Sequence, residues 1–139
     1  IQKLFIAKFH LILMEIREGL LYSKNHEWVK VLDGKAKIGI TDYAQSKLGD
    51  IVFVELPEIG KELKKGEVIC ILESVKAASD VYSAVDCSVE EANDRLSDEP
   101  ELLNKSPYDD GWICIVSMKN KDQPKELLSP ESYKKETEK

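Results

Sequence analysis

From residue 26 to residue 118 the chain repeats one pattern: a short β-branched or alternating run, then turn chemistry, then another run. Such a chain can form strands but no long helix, because every apolar stretch stops before a helix could build a continuous face. Residues 26–31 (HEWVKV) and 35–40 (KAKIGI) alternate on either side of Asp33-Gly34, which predicts a two-residue hairpin. Residues 51–56 (IVFVEL), 79–85 (SDVYSAV), 88–92 (SVEEA) and 112–118 (WICIVSM) read as further strands. Residues 67–73 (EVICILE) are so evenly apolar that the strand is expected to be buried on both faces.

Helical signals are few and local. Asp42 with Gln45 three residues on predicts a capping box, and Gly49 a left-handed stop, for a short helix over residues 42–49. A helical turn is expected at residues 101–104, and Ser129-Pro130 opens a last short helix before a charged tail expected to fray. The sum is a mostly β domain of sandwich or barrel type with short flanking helices. At 139 residues there is room for one core. Residues 20–135 are assigned to it, with an N-terminal extension at 1–19, expected to be non-native before Met14, and a tail at 136–139.

Charge narrows the function classes. A net charge of −6 lacks the basic face that a nucleic-acid partner or an anionic membrane needs. Residues 1–13 are apolar but too short to span a bilayer and lack a signal cleavage site. Cys70, Cys87 and Cys114 are scattered, which argues against a structural zinc site and for a reducing compartment. No Ser–His–Asp pattern, phosphate-cradling glycine loop or metal cluster appears, so no active site of the chain's own is expected. His26 reads as a packing residue, since no motif places a nucleophile beside it.

The segment that carries chemistry is residues 73–82 (ESVKAASDVY). A buried strand runs up to Glu73 and another leaves near Ser79, so the small polar residues between them force a tight reversal with Lys76 at its tip. A lysine there offers an unhindered amine on a stiff base, the placement an acyl-transferring enzyme needs. By turn geometry alone it is an ordinary surface lysine.

Residues 22–29 (YSKNHEWV), 39–45 (GITDYAQ), 48–57 (LGDIVFVELP), 73–77 (ESVKA), 100–104 (PELLN), 106–108 (SPY) and Gly111-Trp112 closely resemble, in order and separation, the glycine cleavage H protein family. The resemblance implies a hybrid barrel-sandwich of the lipoyl/biotinyl-domain kind, with lipoic acid in amide linkage to Lys76. It implies a carrier of an aminomethyl group from glycine decarboxylase to aminomethyltransferase, reoxidised by dihydrolipoamide dehydrogenase, after loading by a lipoate-attaching enzyme. It further implies that Glu27 and Asp80 line a cleft for the loaded arm and that Glu73 is read by the attaching enzyme. The expected protein is a monomer of the bacterial cytoplasm, or of the mitochondrial matrix in a eukaryote.

Two positions depart from the family. Ser83 is followed by Ala84 where the family has proline, and Cys87 replaces a turn glycine eleven residues past Lys76. If that glycine serves a left-handed backbone, Cys87 strains the turn by about 1 kcal/mol, and attachment suffers; its thiol could also meet the arm. Three other readings compete: a lipoyl carrier of sulfur oxidation or lipoyl relay, a biotinyl carrier, and an unmodified interaction domain. Val75 and Ala77, in place of flanking methionines, argue against the biotinyl one.

Overall fold

Strand pairing begins with local turns. Asp33 and Gly34 both take positive φ, 49° and 86°, as the hairpin requires. They join β2 (Glu27–Leu32) to β3 (Lys35–Ile40), with Val29 opposite Ile38. The computed structural model describes residues 14–138, so the extension expected before Met14 lies outside the described residues. The remaining strands are β1 (Leu21–Tyr22), β4 (Ile51–Glu55), β5 (Glu62–Leu63), β6 (Val68–Ser74), β7 (Ala78–Tyr82), β8 (Cys87–Ala92) and β9 (Cys114–Met118). They form two antiparallel sheets, one ordered β1-β2-β3-β9-β8-β5 and the other β4-β6-β7. The mostly β expectation holds.

The sheets share one core. Val29, Ile38, Val89 and Val116 of the larger sheet meet Val54, Leu72 and Val81 of the smaller. Burying each such side chain contributes about 1.5–3 kcal/mol. Cys70, Cys87 and Cys114 are free thiols inside this core. Burial pushes the Cys70 thiol up to about 12.

Short helices close the ends: α1 (Asp42–Leu48), α2 (Arg95–Asp98), α3 (Leu102–Lys105) and α4 (Pro130–Thr137), with a 3-10 turn at Gln123–Glu126. Ser129 caps α4 as expected, its Oγ accepting from the Ser132 N–H at 3.2 Å. The helix then runs on to Thr137, so the charged residues expected to fray are helical up to that point, pinned by wholly buried Tyr133. Residues 15–17 also pack on the body. Tyr108 Oη donates to the Glu15 carbonyl at 2.7 Å, and Arg17 grips Asp109 with both terminal nitrogens at 2.7 and 2.8 Å.

Three expectations need correction. The α1 cap is Thr41, whose Oγ1 accepts from the Ala44 N–H at 3.2 Å; Asp42 instead accepts from Gln45 Nε2 and from the Glu15 N–H. Strand β6 is not buried on both faces: Ile69, Cys70 and Leu72 are buried, Ile71 is half-buried and Glu73 is exposed. Cys87 does not occupy a left-handed position; Asp33 and His26 are the non-glycine residues that do among those described. Cys87 opens β8, opposite Leu63 and Met118, with no solvent exposure. A Cβ belongs there, so the strain argument falls, and a sealed thiol is not available to an arm.

Candidate functional site

One serine organises the β6–β7 reversal. Ser74 Oγ accepts from the N–H groups of Lys76 and Ala77, each at 3.2 Å, and donates to the Ala77 carbonyl. The Ser74 N–H donates to the same carbonyl at 2.8 Å. Below the turn, the Val75 N–H donates to the Asp50 carbonyl at 3.0 Å, tying the tip to the segment between α1 and β4. Asn104 braces that segment in turn. Its Oδ1 accepts from the Ile51 N–H, and its Nδ2 donates to the Gly49 carbonyl at 2.8 Å and to Gln45 Oε1. These bonds fix the backbone beneath the lysine, because few unsatisfied groups are left to rearrange.

Lys76 itself is exposed, and among the described residues no ion pair holds its ammonium. Its stem lies over Gly49, where a Cβ would come within 3.3 Å of Lys76 Cε and 3.6 Å of Nζ. Gly49 has φ 77° and ψ −158°, a conformation open to glycine alone, rather than the left-handed helical one expected. Glycine therefore serves twice here, ending α1 and leaving clearance for the lysine stem.

Glu27 has the opposite surroundings. It is 2% exposed, accepts from Ser23 Oγ, and takes the Tyr82 N–H on its other oxygen at 3.2 Å. Burial holds its carboxyl above the usual range, opposed by those two hydrogen bonds. It lines a cavity of about 390 Å³ with Ser23, Lys65, Ser83 and the C-terminal residues Leu127 and Leu128. The C-terminal wall is fastened by paired backbone bonds between Tyr22 and Leu128, at 2.9 and 2.7 Å.

Asp80 and Glu73 lie elsewhere. Both are exposed, Glu73 opposite Ala78 and Asp80 opposite Ile71. Asp80 is absent from the cavity lining, although Tyr82, two residues along β7, reaches Glu27. The structure thus sets Glu27 in the cavity and Asp80 on the sheet face. His26 is the packing residue expected. Its Nδ1 is 2.8 Å from Tyr133 Oη, its ring stacks on Tyr43, and burial lowers its pKa. Sequence reading passed over Ser74, Gly49 and Asn104 as parts of the site. Their signal was present in the quoted segments, but their roles depend on contacts between segments far apart in the chain.

Comparison with known proteins adds a family. The sequence profile of the glycine cleavage H-protein matches residues 20–139. A glycine cleavage system H protein of a Thermoanaerobacter species is 56% identical over 122 residues, covering 88% of this chain and 96% of the relative. A probable glycine cleavage system H protein of Thermococcus gammatolerans is 54% identical, covering 87% and 91%. Among solved structures, the glycine cleavage system H protein of Mycobacterium marinum superimposes with a TM-score of 0.82 at 32% identity, covering 89% of this chain and all of that one. The two sheets here have the same barrel-sandwich arrangement.

Proposed function

Since this chain belongs to the glycine cleavage H-protein family, we propose that it is the lipoylated shuttle of a glycine cleavage system, with lipoic acid in amide linkage to Lys76. The observation that carries this reading is the exposed amine of Lys76, free of any ion pair among the described residues, on a turn braced by Ser74 and Asn104. Loading requires the neutral amine to attack an activated carboxyl group. A C–N bond forms, the activating group leaves and one proton is released. The amide removes the lysine's charge, and the stiff turn then acts as a single anchor point for a long tether, which raises the local concentration of its far end at a docked enzyme.

Bound lipoic acid would supply a disulfide that accepts the aminomethyl unit at glycine decarboxylase, yields it at aminomethyltransferase and is restored by dihydrolipoamide dehydrogenase. The protein's own residues bind and shield. Glu27 offers a carboxylate from inside its cavity, where low polarity strengthens any contact with a cationic group. Asp80 offers a second from the sheet face, and Glu73, three residues before Lys76, is assigned to recognition by the lipoate-attaching enzyme. The chain is assigned a monomeric carrier role without chemistry of its own, in a bacterial cytoplasm where its three thiols stay reduced. No helix among the described residues is long and apolar enough to cross a membrane.

The test is reconstitution. Loaded protein added to glycine decarboxylase should support glycine-dependent exchange of labelled carbon dioxide, and the Lys76→Arg variant should support none. A loaded protein that fails this exchange would remove the pathway assignment while leaving the carrier role.

A further inference from the structure

Strand β4 breaks its own alternation. Val52 and Phe53, consecutive in sequence, are 56% and 53% exposed between buried Ile51 and Val54. The cause is a bulge between Ile51 and Phe53 in the pairing with β6, which inserts a residue and turns two neighbours to the same side. β4 is an edge strand, where large exposed apolar side chains invite association.

Cross-strand partners share a face. Phe53 stands opposite Glu73, and Glu73 opposite Ala78; one row away Glu55, Ile71 and Asp80 align. The outer face of the three-stranded sheet therefore carries an aromatic ring among carboxylates, and it ends at Lys76. None of the ion pairs among the described residues involves Glu55, Glu73 or Asp80. Past Glu55 and Ile71 the face continues into an open groove of about 590 Å³ bordered by Ile59, itself 70% exposed.

We propose that this face is the docking surface for the enzyme that acylates Lys76, and that the enzyme meets Phe53 with an apolar pocket rimmed by lysine or arginine. The inference rests on Lys76 being the loaded residue. Reach selects the occupant: an enzyme acting on the bare amine must bring its reaction centre to the end of a four-carbon stem, so its surface rests on the flanking sheet. Enzymes that act on the far end of an extended tether have no such need. Charge selects the rim, since carboxylates that no cation among the described residues pairs, set around an aromatic anchor, favour a cationic partner and speed encounter.

The test is the rate of lipoyl transfer, read by intact mass, with a purified lipoate-attaching enzyme, ATP and lipoate at varied carrier concentration. Phe53→Ser should raise KM about tenfold, the weight of one aromatic anchor, while kcat moves less than about twofold. Glu55→Lys with Asp80→Lys should raise KM and flatten its salt dependence. Val31→Ser, another exposed apolar position, on the other sheet, should match the wild type, and all variants should keep the wild-type melting temperature. Wild-type KM and salt dependence in both face variants would overturn the docking surface but leave Lys76 as the loaded residue. Wild-type protein that takes no lipoyl group, or Lys76→Arg that takes one, would overturn both.

Discussion

Strand β7 has a charged group near each end, and the two are treated in opposite ways. Near Ala78, the Lys76 ammonium is left in water while the N–H groups of residues 74–77 beneath it are all bonded. Near Tyr82, the Glu27 carboxylate is taken out of water and bonded by Ser23 and the strand itself. The first arrangement keeps an amine reachable and its mounting stiff. The second raises a pKa and holds a carboxylate ready inside a cavity. The contrast separates an exposed amine on a braced turn from a carboxylate enclosed by the fold.

The largest effect should come from Lys76→Arg. The substitution keeps charge and exposure but presents a guanidinium that stays protonated, so lipoyl loading should fall to nothing while the melting temperature holds; residual loading would place the attachment elsewhere. Cys87→Gly tests whether β8 needs a side chain between the two regions. It should lower stability by about 1–2 kcal/mol in denaturant titration, through an emptied core position and a freer unfolded chain; a gain would revive the strained-turn reading.

Gly49→Ala should cost about 1 kcal/mol or more through its backbone conformation, and it should also slow loading, because the new Cβ crowds Lys76 Cε. A stability loss with an unchanged loading rate would show that the lysine stem does not need that clearance. Ser74→Ala should cost about 1 kcal/mol and accelerate amide exchange at Lys76 and Ala77, while leaving exchange in β2 unchanged; equal acceleration in both would mean that the serine acts on the whole domain.

Glu27→Gln gives the subtlest readout. Burial raises the folded carboxyl above its ordinary 4.5, so the folded state holds that proton more tightly than the unfolded chain does. Its contribution to stability is fully present below pH 4.5 and is lost as pH rises through the folded value. The stability of Glu27→Gln relative to wild type should therefore climb over that window, measured by denaturant midpoints at a series of pH values. A flat difference would mean the carboxyl is not buried in solution.

What the sequence disclosed was what a few neighbouring residues decide. Asp33-Gly34 specified its turn, Ser129-Pro130 its cap, and the small residues around Lys76 a tip. Three features were hidden because they depend on distant partners. Thr41 displaces Asp42 as the cap, since the Glu15 N–H from 27 residues away and Gln45 occupy the aspartate. The residues around Glu27 said nothing of its burial, and only the resemblance pointed to a cleft, because it is the C-terminal segment and β7 that close over it. Bulges, which no alternation pattern announces, put Val52 and Phe53 on one side and Ile69 and Cys70 both into the core. Strand β5 is two residues long with only Leu63 turned inward, too little periodicity to read.

The decisive measurement is peptide mass mapping of the protein purified from cells that make and attach lipoic acid. The account predicts one added lipoyl group, on the peptide that contains Lys76 and at that side chain. An unmodified Lys76 in such cells, or the group on any other lysine, would contradict it.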